Sequence, residues 1–279
     1  MSTPGTPSVL DAIVAAAWKR VEVARVRRPL GDLERALTEG GRLPTTGRPA
    51  FLAALQQPGI RVIAECKRRS PSKGILRADY DPVAIAGAYA TAGAAAVSVL
   101  TEPGFFDGAL EHLVAVRAAH PALPLLRKDF TVDEYQIAEA AVAGASAVLL
   151  IVAALEQSVL IRLLGYAADI GIDVLTEVHD QDEARRAVDA GATIIGVNNR
   201  NLKTMAVSIE TSQRVAPIIA SAQVRVSESG LRTGEDLVAL QDAGYGAFLI
   251  GERFMTEPNP GDGVARVIAE ARAAAAARP

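Results

Sequence analysis

The stretch IAECKRRSPSKG at residues 63 to 74 begins apolar and turns abruptly polar, setting Glu65 and Lys67 two residues apart. On a strand, residues i and i+2 face the same way, so a carboxylate and an amine point together into whatever that strand encloses. The pattern recurs. Other apolar runs end in Lys128 and Asp129, in Glu177, in Asn198 and Arg200, and in Glu228 and Ser229, with Gly230 and Gly251 close by. Any one of these reads as a rim charge or as half of an ion pair. Gathered in one place, they desolvate several like and unlike charges, which costs stability but suits proton transfer and anion binding.

The elements that would gather them are legible as alternating strand and helix patterns. Eight β-branched apolar runs stand at residues 61 to 66, 95 to 101, 123 to 130, 147 to 152, 172 to 178, 193 to 199, 224 to 229 and 247 to 252. Between them lie helical patterns such as DPVAIAGAYATAG and DQDEARRAVDAG, most opening on a capping Asp and closing on Gly. The endings AGA at 92, 143 and 190 and AGY at 243 each precede a strand, a recurrence of two βα units. This self-similarity, with no GxGxxG after the first strand, predicts a closed (β/α)8 TIM barrel, in which strand C-termini form the active face. Residues 1–57 read as an N-terminal helical extension packed on the barrel, and 58–279 as the barrel itself. Helices are expected over 8 to 27 and 29 to 38, the first with an apolar stripe through Leu10, Ile13, Val14, Ala17, Trp18 and Val21.

Composition excludes several classes of function. The 279 residues carry a formal net charge of −3, with no basic field for nucleic acid. The run ASAVLLIVAAL at 145 to 155 is too short to span a membrane and reads as a buried strand. Cys66 is the only cysteine, so no internal disulfide forms; with no signal peptide at the start, a cytoplasmic protein is expected. Alternation turns Cys66 away from Glu65 and Lys67, into the layer between strand and helices. His112, His120 and His179 have no metal-ligand spacing and read as solvated or capping histidines.

The segments IAECKRRSPSKG, VLTEPGFFDG, LLRKDF, LTEVH, IGVNNRNLKT, VSESG and FLIGERFM are similar, in order and spacing, to signature segments of the indole-3-glycerol phosphate synthase family. The match covers nearly the whole chain and is loosest over the first 57 residues and after Phe254. The resemblance implies an enzyme of tryptophan biosynthesis that closes the indole ring of 1-(2-carboxyphenylamino)-1-deoxyribulose 5-phosphate with loss of carbon dioxide and water. It implies no metal and no organic cofactor. The partner is then a small sugar phosphate, with neither nucleic acid nor membrane involved, and the chain is a monomer or a weak homo-oligomer.

Carried over by position, the resemblance makes Lys128 the general acid and Glu177 a base or electrostatic partner in the later steps. Glu65 orients the lysine, with Lys67 either a phosphate contact or a proton donor. Asn198 and Ser229 bind sugar hydroxyls, with Glu228 beside them; Arg200 and Ser70 hold the anthranilate carboxylate. Gly230, Gly251 and Glu252 offer backbone amides to the phosphate, and Phe106, Phe130 and Leu149 sandwich the aromatic ring. Arg253 departs from the small residue expected there. Two alternatives stand beside this reading. One is another sugar-phosphate barrel, such as phosphoribosylanthranilate isomerase, whose Asp and Cys pair does not fit the offset Cys66. The other is a noncatalytic sugar-phosphate-binding barrel, which retention of Lys128 and Glu177 argues against.

Overall fold

The computed structural model describes residues 8–39, 50–201 and 205–278. Residues 1–7 and 40–49 of the expected extension, Leu202, Lys203 and Thr204 of the IGVNNRNLKT segment, and Pro279 lie outside them. Eight parallel strands pair in chain order and close on themselves: β1 (Arg61–Cys66), β2 (Ala96–Leu100), β3 (Leu125–Lys128), β4 (Ala147–Ile151), β5 (Asp173–Val178), β6 (Ile194–Asn198), β7 (Val224–Glu228) and β8 (Ala247–Ile250). This is the expected (β/α)8 barrel, and β8 pairs with both β7 and β1.

Several strands stop sooner than the apolar runs suggest. β3 ends at Lys128 because Asp129 turns its carboxylate onto the Phe130 amide, 2.8 Å away. β8 ends at Ile250 because Gly251 already caps a short helix, Glu252–Met255. Both breaks fall where polar side chains leave the ladder for the barrel mouth.

The recurring AGx endings have one structural cause. Gly93, Gly144, Gly191 and Gly244 adopt φ of 93°, 89°, 81° and 92°, a left-handed conformation that favours glycine. The amide after each reaches the carbonyl five residues back: Ala94 to Tyr89 at 3.0 Å, Ala145 to Ala140 at 2.9 Å, Ala192 to Ala187 at 3.1 Å and Tyr245 to Leu240 at 3.0 Å. Each is a Schellman stop that ends a helix and aims the chain into the next strand.

Alternation divides the side chains into two cores. Val62, Ala64 and Cys66 of β1, with Val97, Val99, Val148 and Leu150, pack outward beneath the helices. Ile63, Ala96, Leu126, Leu149, Leu175, Ile194, Val226 and Leu249 fill the barrel interior. Cys66 is fully buried in the outer layer, as alternation requires, and burial pushes its thiol far up.

Among the described residues, three helices precede the barrel. α1 (Val9–Arg27) opens with a capping box between Ser8 and Asp11. α1 buries Ile13, Ala17 and Val21, and with Leu33 of α2 (Leu30–Glu39) the last two pack on Val132, Tyr135 and Ala138. Trp18, assigned to that apolar stripe, is instead 42 % exposed: the buried positions run at four-residue spacing, and Trp18 lies a hundred degrees around the helix from Ala17. α3 (Phe51–Leu55) joins the interior core through Phe51 and Leu55, and the Asp173 carboxylate at the start of β5 accepts from its Leu52 amide at 2.9 Å. No helix among the described residues is long and apolar enough to cross a membrane.

Candidate active site

The pairing register fixes which side chains meet inside the barrel. Glu65 on β1, Lys128 on β3, Glu177 on β5 and Glu228 on β7 all point inward from odd-numbered strands, each two residues beyond Ile63, Leu126, Leu175 and Val226. Barrel interiors are filled by layers of four side chains from alternate strands. In this chain one such layer is apolar, and the next towards the C-terminal face consists of three carboxylates and an ammonium.

Lys128 Nζ donates to Glu177 Oε2 at 2.9 Å and to Glu228 Oε2 at 3.0 Å. An ammonium has three donors, so one N–H is left for another partner. Burial alone would lower the Lys128 pKa, but Glu177, Glu228 and Glu65 outweigh it and drive it up. Glu65, expected from the sequence to orient the lysine, makes no direct bond to it. It accepts from Lys67, whose amine folds back from just past the strand end. Glu65 therefore acts on Lys128 through its field.

The two carboxylates beside Lys128 are driven apart. Burial would raise Glu177, but Lys128 and then His179 overcome it and hold the group well below the usual carboxylate range. Glu228 is pushed up to about 7 by burial, which the Lys128 charge opposes and the Glu177 charge reinforces. One ammonium cannot compensate two buried carboxylates, so the pair retains a proton to higher pH. Glu228 Oε1 finds no hydrogen-bond partner among the described residues and lies against Gly196, where a Cβ would overlap it.

His179 is a further member of the site. Expected to be solvated or capping, it is part-buried just past the end of β5, its Nε2 3.2 Å from Glu177 Oε1. Its Nδ1 lies 3.0 Å from Glu183 Oε2, and that same oxygen accepts its backbone amide at 2.8 Å. Burial would lower the imidazole pKa, but the two carboxylates override it and raise it to about 10. A folded pKa above the unfolded value near 6.5 makes ionised His179 stabilising below that value, and the contribution is lost as pH rises through about 10. The melting-temperature gap between the wild type and His179→Gln is thus expected to be widest near pH 6 and to shrink by about pH 10. A gap independent of pH would show that the imidazole is not held ionised.

The other expected residues gather around the same cavity, of about 560 Å³. Ser70, Phe106, Phe130, Leu149, Asn198, Arg200, Ser229, Gly230, Gly251 and Glu252 all line it with the charged layer. The Phe106 and Phe130 ring centroids are 6.2 Å apart with planes at 33°. Asn198 accepts the Arg200 amide at 3.0 Å, and Ser70 Oγ accepts the Lys73 amide at 3.2 Å. The Glu252 carboxylate turns towards Lys73 at 3.4 Å and Arg200 at 3.5 Å. Arg253 also lines the cavity, and its guanidinium bonds the Arg232 carbonyl.

Ser229 and Gly230 carry successive left-handed φ of 64° and 77°. Asn199 supports this turn, donating to the Ser229 carbonyl and the Ser227 hydroxyl at 3.1 Å each while accepting from Ser212. Sequence reading passed over Asn199 in favour of its inward-facing neighbour. A Cβ on Gly251 would overlap the Glu65 carboxyl, so a glycine is needed where β8 meets the charged layer.

A barrel closed at one end by α3, with acid, base and cation groups at the other, suits proton transfer on a small anionic substrate. The family model for indole-3-glycerol phosphate synthase matches residues 10–267. The indole-3-glycerol phosphate synthase of Roseiflexus sp. (strain RS-1) is 47% identical over 250 residues, covering 86% of this chain and 91% of that protein. That of Laribacter hongkongensis (strain HLHK9) is 44% identical over 263 residues, covering 94% and 99%. Among solved structures, KGPDC from Streptococcus mutans superposes with a TM-score of 0.60 at 14% identity over 77% of this chain and 99% of its own, a likeness of fold alone. Sequence, barrel and charged layer converge, and the chain belongs to the indole-3-glycerol phosphate synthase family.

Proposed function

We infer that the chain closes the indole ring of 1-(2-carboxyphenylamino)-1-deoxyribulose 5-phosphate, releasing carbon dioxide and water in tryptophan biosynthesis. Family membership supports this reading, and one observation carries it furthest. The Lys128 ammonium is fixed 2.9 Å and 3.0 Å from two carboxylates in the same cavity as a pair of facing phenylalanine rings.

The ring carbon bearing the carboxylate bonds to the ketose carbonyl carbon, and the carbonyl oxygen takes a proton from Lys128. Carbon dioxide departs, and its bonding pair restores the aromatic ring. Lys128, reprotonated from solvent, protonates the new hydroxyl, which leaves as water, and Glu177 removes the remaining ring-carbon proton to complete the indole. A lysine between two ionised carboxylates is a reluctant donor. Glu228, titrating near 7, relieves one of those charges and eases the transfer.

Around this centre Glu65 and Lys67 act as a pair beside the sugar, and Asn198 and Ser229 bind its hydroxyls. Arg200 and Ser70 hold the substrate carboxylate, the planar guanidinium suiting a two-pronged partner. Gly230, Gly251 and Glu252 present amides to the phosphate, and Phe106, Phe130 and Leu149 enclose the ring. Residues 1–57 form the helical extension and 58–279 the catalytic barrel, working in the cytoplasm as a monomer or weak homo-oligomer. Purified protein mixed with the substrate is expected to develop indole fluorescence. No rise with wild-type protein would overturn the assigned activity.

A further inference from the structure

α1 lies outside the barrel, yet it reaches two of the most buried carboxylates at the barrel mouth. Arg20 Nη1 lies 3.0 Å from Glu102 Oε1, and Nη2 lies 2.8 Å from Asp129 Oδ1. Neither acid touches the charged layer; each builds the backbone that carries one ring. Glu102, fully buried after β2, accepts from the amides of Gly104, Phe105 and Phe106 at 3.0, 2.7 and 3.2 Å, and so starts the turn that presents Phe106. Asp129, after β3, accepts from the Phe130 amide through Oδ1 at 2.8 Å and from the Thr101 hydroxyl through Oδ2 at 2.7 Å.

We propose that Arg20 is a positioning residue: its guanidinium spans the roots of Phe106 and Phe130, sets the gap between their rings, and so governs affinity for the aromatic half of the substrate. The proposal rests on the reading that these rings enclose the substrate's ring. Its physical basis is the fork of the guanidinium, whose two arms hold two carboxylates at a fixed separation. Without it, Asp129 keeps only the Arg127 guanidinium, 3.4 Å from its other oxygen, and Glu102 keeps only backbone amides, so the residual repulsion between the two buried acids drives the loops apart. Phe130 also packs against the α1 interface core, so the ring wall and the tether belong to one element.

A second tether separates positioning from docking. Arg25 pairs with Asp133 at 2.6 Å, further along α1, and holds the helix at the far, helix-capping end of the Phe130 loop without reaching Asp129 or the Glu102 turn. We would compare the wild type, Arg20→Met, Arg20→Lys and Arg25→Met by kcat, KM, melting temperature and inhibition by ribulose 5-phosphate, which lacks the aromatic ring. Arg20→Met is expected to raise KM about tenfold or more, a loss of roughly 1.4 kcal/mol, with the ribulose 5-phosphate inhibition constant unchanged. Arg20→Lys, which cannot span both acids, is expected to recover only part of the loss. Should Arg20→Met fail to fold, Arg20→Lys carries the comparison through the same divergence of KM from the inhibition constant. Arg25→Met should lower the melting temperature and leave KM in place. The proposal is overturned if KM and the inhibition constant move together, or if Arg25→Met reproduces the Arg20 defect. A wild type that makes no indole fails the reading on which the proposal rests, and is recognised by the absence of product in every arm.

Discussion

Replacing Lys128 with alanine is expected to lower kcat by roughly 10² to 10⁴ while KM changes little, the range for losing a positioned general acid. The effect is large because the charged layer holds no second ammonium in reach of the same position. Lys67 is committed to Glu65, and the remaining groups beside Lys128 are the carboxylates Glu177 and Glu228. Truncation also leaves those two buried acids without their shared cation, so the Glu228 pKa, already raised to about 7, should climb further. The residual activity of Lys128→Ala should therefore follow a pH profile displaced from that of the wild type. A variant that keeps most of its kcat would transfer the donor role to Lys67, and Lys67→Ala would then show the larger loss.

The second large effect is expected at Gly251. An aspartate there adds a Cβ that overlaps the Glu65 carboxyl and sets a negative charge at the proposed phosphate site. Two unit charges 4 Å apart repel by about 4 kcal/mol at an effective dielectric of 20, roughly three orders of magnitude in affinity before any relaxation. KM should rise steeply, and binding of inorganic phosphate, measured by calorimetry, should weaken in parallel. Gly251→Ala separates the two causes, because it displaces Glu65 without adding charge. Its defect should fall mainly on kcat, through the Glu65–Lys67 pair. If Gly251→Asp binds substrate normally, the phosphate lies elsewhere and the substrate is oriented differently.

Much of the site follows from period-two alternation. Once Glu65, Lys128, Glu177 and Glu228 are placed on strands one, three, five and seven, layer packing brings them together whatever the loops do. The glycine stops were legible for a similar reason, since a left-handed C-cap is a local demand that leaves a local mark. His179 was within reach as well: Glu183 stands four residues on along a helix start, the spacing at which side chains meet, but its second partner faces the barrel. Arg20 left no such trace. Its partners lie 82 and 109 residues away on two different loops, and only the docked position of α1 brings them within reach. Trp18 shows the limit of an apolar stripe, because hydrophobicity alone does not say how wide the covered face is.

Among the described residues, Phe51 and Leu55 of α3 pack into the N-terminal end of the barrel, and Ile63, Leu126, Leu175 and Val226 form an apolar layer between them and the charged groups. The cavity lies at the C-terminal face, beside the charged layer. In the proposed binding mode, the gas and the water shed during ring closure leave by the opening through which the substrate entered, past an intermediate still held there by ring and phosphate. Traffic through that opening, rather than bond making, is then a natural place for turnover to become sensitive to solvent viscosity.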